Sequence, residues 1–225
     1  FLKNKLKNPK FCVSIAIHNS TKLNSVITNA FASGAHLAEI RLDSLNSFSF
    51  NQINKLSNVY KNRLIFTFRS KNQGGLSKIS ESDRIQKLIQ LLDLKHSIKD
   101  IEYDTFLSHS SIFNDEKNLI VSWHNFKSTP STNSMENQIK KISTKLKHPE
   151  QIIKVVTYAN SLNDCNKVFD LYPRFEKSKF QLLAFCMSET GSITRVSSPI
   201  LGAPFIYCFT GTKSVAPGQI NLNIL

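Results

Sequence analysis

Short apolar runs alternate with longer polar segments along the whole chain, and this alternation limits the folds open to it. Phe11–Ile17, Leu37–Leu42, Leu64–Arg69, Lys99–Tyr103, Asn118–Trp123, Gln151–Thr157, Phe180–Met187 and Ala203–Phe209 are rich in β-branched, aromatic and aliphatic residues and read as strands. Between them, Thr21–Ser33, Asn51–Tyr60, Glu81–Asp93, a brief stretch near Thr105–Phe113, Ser134–Leu146, a run from about Ser161 to Tyr172 and a short piece after Gly191 read as helices. Strict strand–helix alternation predicts a parallel sheet. Eight such units in 225 residues suggest an α/β fold of the (β/α)8 TIM-barrel type, with residues 1–225 as a single domain. The rival is an open doubly wound sheet. Against it, Ile17-His18-Asn19-Ser20 follows the first strand where a glycine-rich phosphate turn belongs. Few residues follow Gly218, so the eighth helix is expected to be very short.

Composition narrows the function classes. The net charge of +13 allows either nucleic-acid binding or a solvated basic surface that attracts small anions. The lysines are spread along the chain, and only Lys3, Lys5, Lys7 and Lys10 form a dense group. No aromatic-basic motif accompanies them, so the second reading is preferred and no nucleic-acid partner is expected. Cys12, Cys165, Cys186 and Cys208 are scattered and lack metal-ligand spacing, which points to buried reduced thiols and no metal. No apolar run reaches membrane-spanning length, so no membrane partner and a cytoplasmic location are expected.

In a barrel of this kind the active site lies at the C-terminal ends of the strands. Lys154 stands in the middle of an otherwise apolar strand. Loss of hydration favours its neutral amine, a nucleophile towards carbonyls; alternatively it pairs with a carboxylate or reaches for the strand end. Glu39, Arg41 and Asp43 share one face of the second strand, and Asp100, Glu102 and Asp104 share one face of the fourth. The first set serves equally as a buried ion-pair network, and the second is placed to offset the cations or to hold the lysine and histidine. Arg69 ends the third strand, with Gln73, Gly74 and Gly75 beyond it. His124 ends the fifth strand, next to the strand of Lys154, and is the best general acid/base candidate among six histidines. Met187 ends the seventh strand, Arg195 follows it with a fork suited to a carboxylate, and Gly211 to Gln219 reads as a lid. A buried lysine, a histidine and several arginines suit a hydroxylated keto acid, through an imine that acidifies the neighbouring carbon.

Glu39-Ile40-Arg41-Leu42-Asp43, Phe66-Thr67-Phe68-Arg69 with Gly74-Gly75, Ser122-Trp123-His124-Asn125-Phe126, Lys154, Met187-Ser188 to Arg195, and Ala216-Pro217-Gly218-Gln219 resemble type I 3-dehydroquinate dehydratase. The motifs fall in that family's order over nearly the whole chain, and the compact length is similar to its archaeal members. The resemblance implies a hydro-lyase of the shikimate pathway, in aromatic amino acid biosynthesis, with a TIM-barrel fold and no cofactor. Lys154 would form an imine with the C3 ketone of 3-dehydroquinate. His124 would remove a C2 proton and protonate the departing C1 hydroxyl, giving 3-dehydroshikimate by syn elimination. Arg195 and Gln219 would bind the substrate carboxylate, Glu39, Arg41 and Arg69 its hydroxyls, and Met187 would pack near the imine. Glu102 would support the site, and a homodimer is expected.

Three positions depart from the family pattern. Gln73 stands where a glutamate usually orients the histidine, so a lower histidine pKa is expected. Val215 replaces a serine before Ala-Pro-Gly-Gln, which leaves Ser214 as the substitute. Asn125 stands where aspartate is common. Two rivals remain from the sequence: a class I aldolase-type barrel, and a basic binding protein that kept the barrel and lost catalysis.

Overall fold

A computed structural model of the chain describes residues 9–212 and 214–225. Lys3, Lys5 and Lys7 of the basic group and Lys213 of the lid lie outside the described residues.

The sheet runs β1 (Phe11–Ile15), β2 (Leu37–Arg41), β3 (Leu64–Thr67), β4 (Ile98–Glu102), β5 (Leu119–His124), β6 (Ile152–Tyr158), β7 (Gln181–Met187), β8 (Ile206–Phe209) and β9 (Ile220–Asn221). The helices are α1 (Leu23–Ala32), α2 (Phe50–Tyr60), α3 (Glu81–Gln90), α4 (Tyr103–Ser108), α5 (Ser110–Phe113), α6 (Thr132–Ser143), α7 (Leu162–Phe169), α8 (Leu171–Arg174) and α9 (Ser192–Leu201). Serines mark several helix starts because their hydroxyls satisfy first-turn N–H groups. Ser49, Ser80 and Ser131 do so for α2, α3 and α6, and Ser161 with Asp164 forms a capping box on α7. The cap at Ser131 starts α6 two residues before the expected Ser134. Among the described residues no helix is long and apolar enough to cross a membrane.

Every strand pairing is parallel, in the order β7-β6-β5-β4-β3-β2-β1-β8-β9. Contacts between its far members show that the sheet curls into a ring. The β6 side chain of Lys154 reaches Tyr207 Oη on β8 at 3.3 Å, although five strands separate β6 from β8 along the ladder. Glu39, Asp100, Lys154 and Tyr207 come from β2, β4, β6 and β8 and meet as one interior layer, as alternate strands do in such barrels. The doubly wound rival is thereby excluded. Among the described residues no ladder joins β7 to β8. Side chains bridge that seam instead, with the Phe185 and Tyr207 ring centroids 6.1 Å apart.

The structure corrects several strand and loop limits. β4 stops at Glu102 because the chain turns there into α4, so Asp104 is a helical, exposed residue and not an inward strand residue. β3 stops at Thr67, which puts Arg69 in the following loop. Among the described residues no α-helix follows β8; the chain returns as β9, pairing Cys208 with Ile220 and Phe209 with Asn221. Two glycines permit close backbone approaches near the mouth. A Cβ on Gly75 would meet the Arg69 carbonyl oxygen at 2.0 Å, and one on Gly218 (φ +72°) would meet that of Ser188 at 2.1 Å. Gly218→Ala is therefore expected to undock the segment after Gly211 while leaving the barrel folded. Limited proteolysis should show faster nicking there, with little change in the unfolding midpoint.

Candidate active site

Lys154 is 5% exposed and faces the ring interior. Its Nζ donates to Asp100 Oδ2 at 2.9 Å and to Tyr207 Oη at 3.3 Å, and lies 3.9 Å from Glu39 Oε1. The amine is therefore buried but not isolated: a carboxylate and a phenol hold it in place. Ser14 and Thr67 hydroxyls donate to Glu39 at 2.9 and 2.8 Å, and Ser122 donates to Asp100 at 2.6 Å. Burial pushes the Asp100 carboxyl up, but Arg69, Lys154 and the Ser122 hydrogen bond outweigh it and hold the group well below the usual carboxylate range.

Arg69 is buried between Asp100, at 3.2 Å, and Glu102, at 3.7 Å. Arg41 forms a two-pronged pair with Asp43, at 2.9 and 2.8 Å. Asp43 also accepts from the backbone N–H groups of Arg69 and Leu76, so it ties the end of β2 to the loop after β3. Glu102 accepts from Arg84 and from Ser70, and does not touch Lys154 or His124. Its supporting role is to hold Arg69 and the loop.

His124 ends β5, half-buried, with Phe126 stacked on it at 5.6 Å and 8°. Its Nδ1 meets Gln73 Oε1 at 3.0 Å. An amide oxygen only accepts, so Nδ1 carries the proton and Nε2 keeps a free lone pair. Burial first, then the Arg69 and Lys154 cations, pull the imidazole well below its ordinary 6.5, against a weaker opposite pull from Asp100. Its contribution to stability is complete above that value and declines as the pH falls below it.

Arg195, 2% exposed, is the exception among the buried cations of the site. Its Nη2 donates to the Pro217 carbonyl at 3.0 Å and its guanidinium stacks on Phe185 at 4.3 Å. Its Nε is buried without a hydrogen-bond partner, and among the described residues no carboxylate pairs with it. Burial pushes it down to about 10. Gln219 accepts from the Val215 and Ala216 N–H groups and donates to Ser14 at 3.1 Å, so it fastens the lid to β1.

These groups enclose a cavity of about 260 Å³ at the C-terminal ends of the strands. Glu39, Arg41, Arg69, Gln73, His124, Lys154, Met187, Arg195 and Gln219 all line it. Ser214 does not: it is exposed, and Val215 forms the wall there, which corrects the expectation that Ser214 substitutes for the missing serine. Sequence reasoning missed Ser14, Phe126, Phe185 and Tyr207 as wall residues, and it offered Asp100, Glu102 and Asp104 alike as groups to offset the cations or hold the lysine and histidine, of which Asp100 is the one that meets Lys154. Strand alternation alone could have found Ser14 and Tyr207; nothing local marks Phe126. Arg41, Arg69 and Lys154 are already paired with Asp43, Asp100 and Glu102, so the cavity's preference for an anion rests on Arg195.

Fold and site together define an α/β-barrel protein with a lysine-centred, anion-accepting cavity at its mouth. The family model described as type I 3-dehydroquinase matches residues 11–225. The chain is 31% identical over 221 residues to a 3-dehydroquinate dehydratase of Dehalococcoides mccartyi, covering 96% of this chain and 93% of that one. It is 29% identical over 206 residues to one of Pyrococcus abyssi, covering 90% of each. Its fold superimposes on the 3-dehydroquinate dehydratase of Geobacillus kaustophilus with a TM-score of 0.85 at 19% identity, covering 97% of this chain and 88% of that one. For the Aquifex aeolicus structure the TM-score is 0.76 at 25% identity, with 96% and 94% covered. The chain belongs to the type I 3-dehydroquinase family.

Two measurements check the electrostatics. The His124 imidazole should titrate well below pH 6.5 by NMR, and Gln73→Glu, which sets a carboxylate against Nδ1, should move that midpoint up. Arg69→Met leaves Asp100 and Glu102 short of a cation and should cost about 3–5 kcal/mol in denaturant unfolding. Arg195→Met orphans no carboxylate and should leave the unfolding midpoint unchanged or raised.

Proposed function

We propose that the protein dehydrates 3-dehydroquinate to 3-dehydroshikimate in the shikimate pathway, through an imine on Lys154. The observation that carries this reading is the unpaired, buried Arg195 in the same cavity as Lys154 and His124, a site for a carboxylate beside a nucleophile and a base. Arg195 takes the substrate carboxylate, a bidentate partner that supplies its missing acceptor. Gln219 keeps the lid closed over it. Lys154 gives up a proton, attacks the C3 ketone and loses the carbonyl oxygen as water. The resulting iminium is again a cation, so Asp100 and Glu39 neutralise it as they did the ammonium.

The iminium draws electrons from the C2–H bond, and the free Nε2 of His124 accepts that proton. The electron pair moves through the enamine and expels the C1 hydroxyl, which His124 protonates to water. Hydrolysis of the conjugated imine returns Lys154 and releases the enone. The neutral state of His124 keeps the base available in mildly acidic solution. Met187 and Phe185 supply apolar walls beside the imine.

The test is 3-dehydroquinate with borohydride, read by mass spectrometry beside Lys154→Ala. A reduced adduct on the wild type alone, with enone absorbance when borohydride is omitted, is expected. An adduct without enone would overturn the elimination role of His124; absence of both would overturn the reading.

A further inference from the structure

Arg84 is a buried cation that this chemistry does not use. Arg84 lies on α3, outside the ring, and is 3% exposed. Its guanidinium holds Glu102 at 2.9 Å, the Phe68 carbonyl at 3.0 Å, the Thr105 hydroxyl at 2.7 Å and Glu81 at 2.8 Å. Glu102 is therefore shared between Arg84 and Arg69. Arg69 is shared in turn between Glu102 and Asp100, and Asp100 between Arg69 and Lys154. Charges of alternating sign thus run Arg84, Glu102, Arg69, Asp100, Lys154 from the helix layer to the centre of the ring. Each of the five is at most 5% exposed, so solvent screens little of their interaction.

We propose that Arg84 is a positioning residue that sets how readily Lys154 gives up its proton, acting through Glu102, Arg69 and Asp100. The proposal rests on the imine reading for its consequence, because an ammonium cannot attack a ketone. Without Arg84, Glu102 draws Arg69 towards itself and loosens it from Asp100. Asp100 is then left more fully to Lys154, and the network has one positive charge fewer. Both changes favour the ammonium. Removal of the Glu102 charge does the reverse: Arg69 turns to Asp100, and Lys154 loses part of its counter-charge. The other groups around Lys154 are Glu39 on β2, Tyr207 on β8, Cys12 on β1 and His124 on β5, and none of them is altered by either change. A purely structural Arg84 would lower stability in both variants but would not move the lysine in opposite directions.

The test is competitive acetylation of the full chain with acetic anhydride over a range of pH, read at the Lys154 peptide by mass spectrometry. In Arg84→Met the midpoint of Lys154 labelling is expected to rise by about 0.5–1 pH unit. Arg84→Lys should restore it, and Glu102→Gln should lower it. An unmoved midpoint in Arg84→Met, or a shift in the same direction in both charge-removing variants, would overturn the proposal. If Arg84→Met does not fold, Glu102→Gln decides, and an unmoved midpoint there is the overturning result. The labelling uses no 3-dehydroquinate, so it is independent of the borohydride experiment. Absence of an adduct there overturns the imine; an unmoved midpoint here overturns the role of Arg84.

Discussion

The contact between Lys154 and Asp100 is the interaction on which the barrel mouth depends. An ion taken out of water costs several kcal/mol, and the cost is recovered only with close opposite charge and hydrogen bonds to the remaining lone pairs. Asp100 meets both conditions, with Lys154 on one oxygen and Ser122 and Arg69 on the other. That arrangement fixes strand register. Asp100 lies beside Ile120 on β5, and Ile120 beside Ile152 on β6. A slip of one residue would turn Lys154 towards the helices and leave two carboxylates bare inside the ring.

Arg195 follows a different rule. Its neighbours are a ring face and a carbonyl, neither of which carries a full charge. The fold tolerates an uncompensated cation there, which stores an attraction for whatever anion enters. Stability and recognition are thus divided between two arginines a few strands apart: Arg69 is spent on the protein itself, whereas Arg195 is held in reserve.

The eight-strand alternation was legible because buried parallel strands need continuous apolar runs and helices need caps. Lys154 and His124 were legible by position within their runs. Position alone is nonetheless ambiguous, as Lys99 illustrates. It also sits mid-strand and is buried, yet it faces the helix side, donates to the Leu94 carbonyl and pairs with Glu116. Only the interior direction of β6 separates the two lysines. Asp100 was not singled out over Glu102, because the choice depends on the relative heights of β4 and β6, which no local pattern encodes. Arg195 stood out by its position beyond the seventh strand and Gln219 through the family resemblance, but the contacts that distinguish them arise from the fold of the lid. Ser214 failed for the same reason: the Gln219 hydrogen bonds to the Val215 and Ala216 N–H groups set which residue faces inward.

The pairing of β1 with β8, and the bond from Gln219 to Ser14 across 205 positions, join distant parts of the chain. Ends so distant pay their loop-closure entropy before any contact rewards them. Glu39, Asp100 and Lys154 stand on strands joined by the ladder from β2 to β7, whereas Gln219 is tied to the β1 residue Ser14 and Tyr207 belongs to β8, the strand paired with β1. The burial that sets the surroundings of Lys154 therefore depends on the β1–β8 join, and loosening that join would rehydrate the lysine without breaking any ladder between β2 and β7.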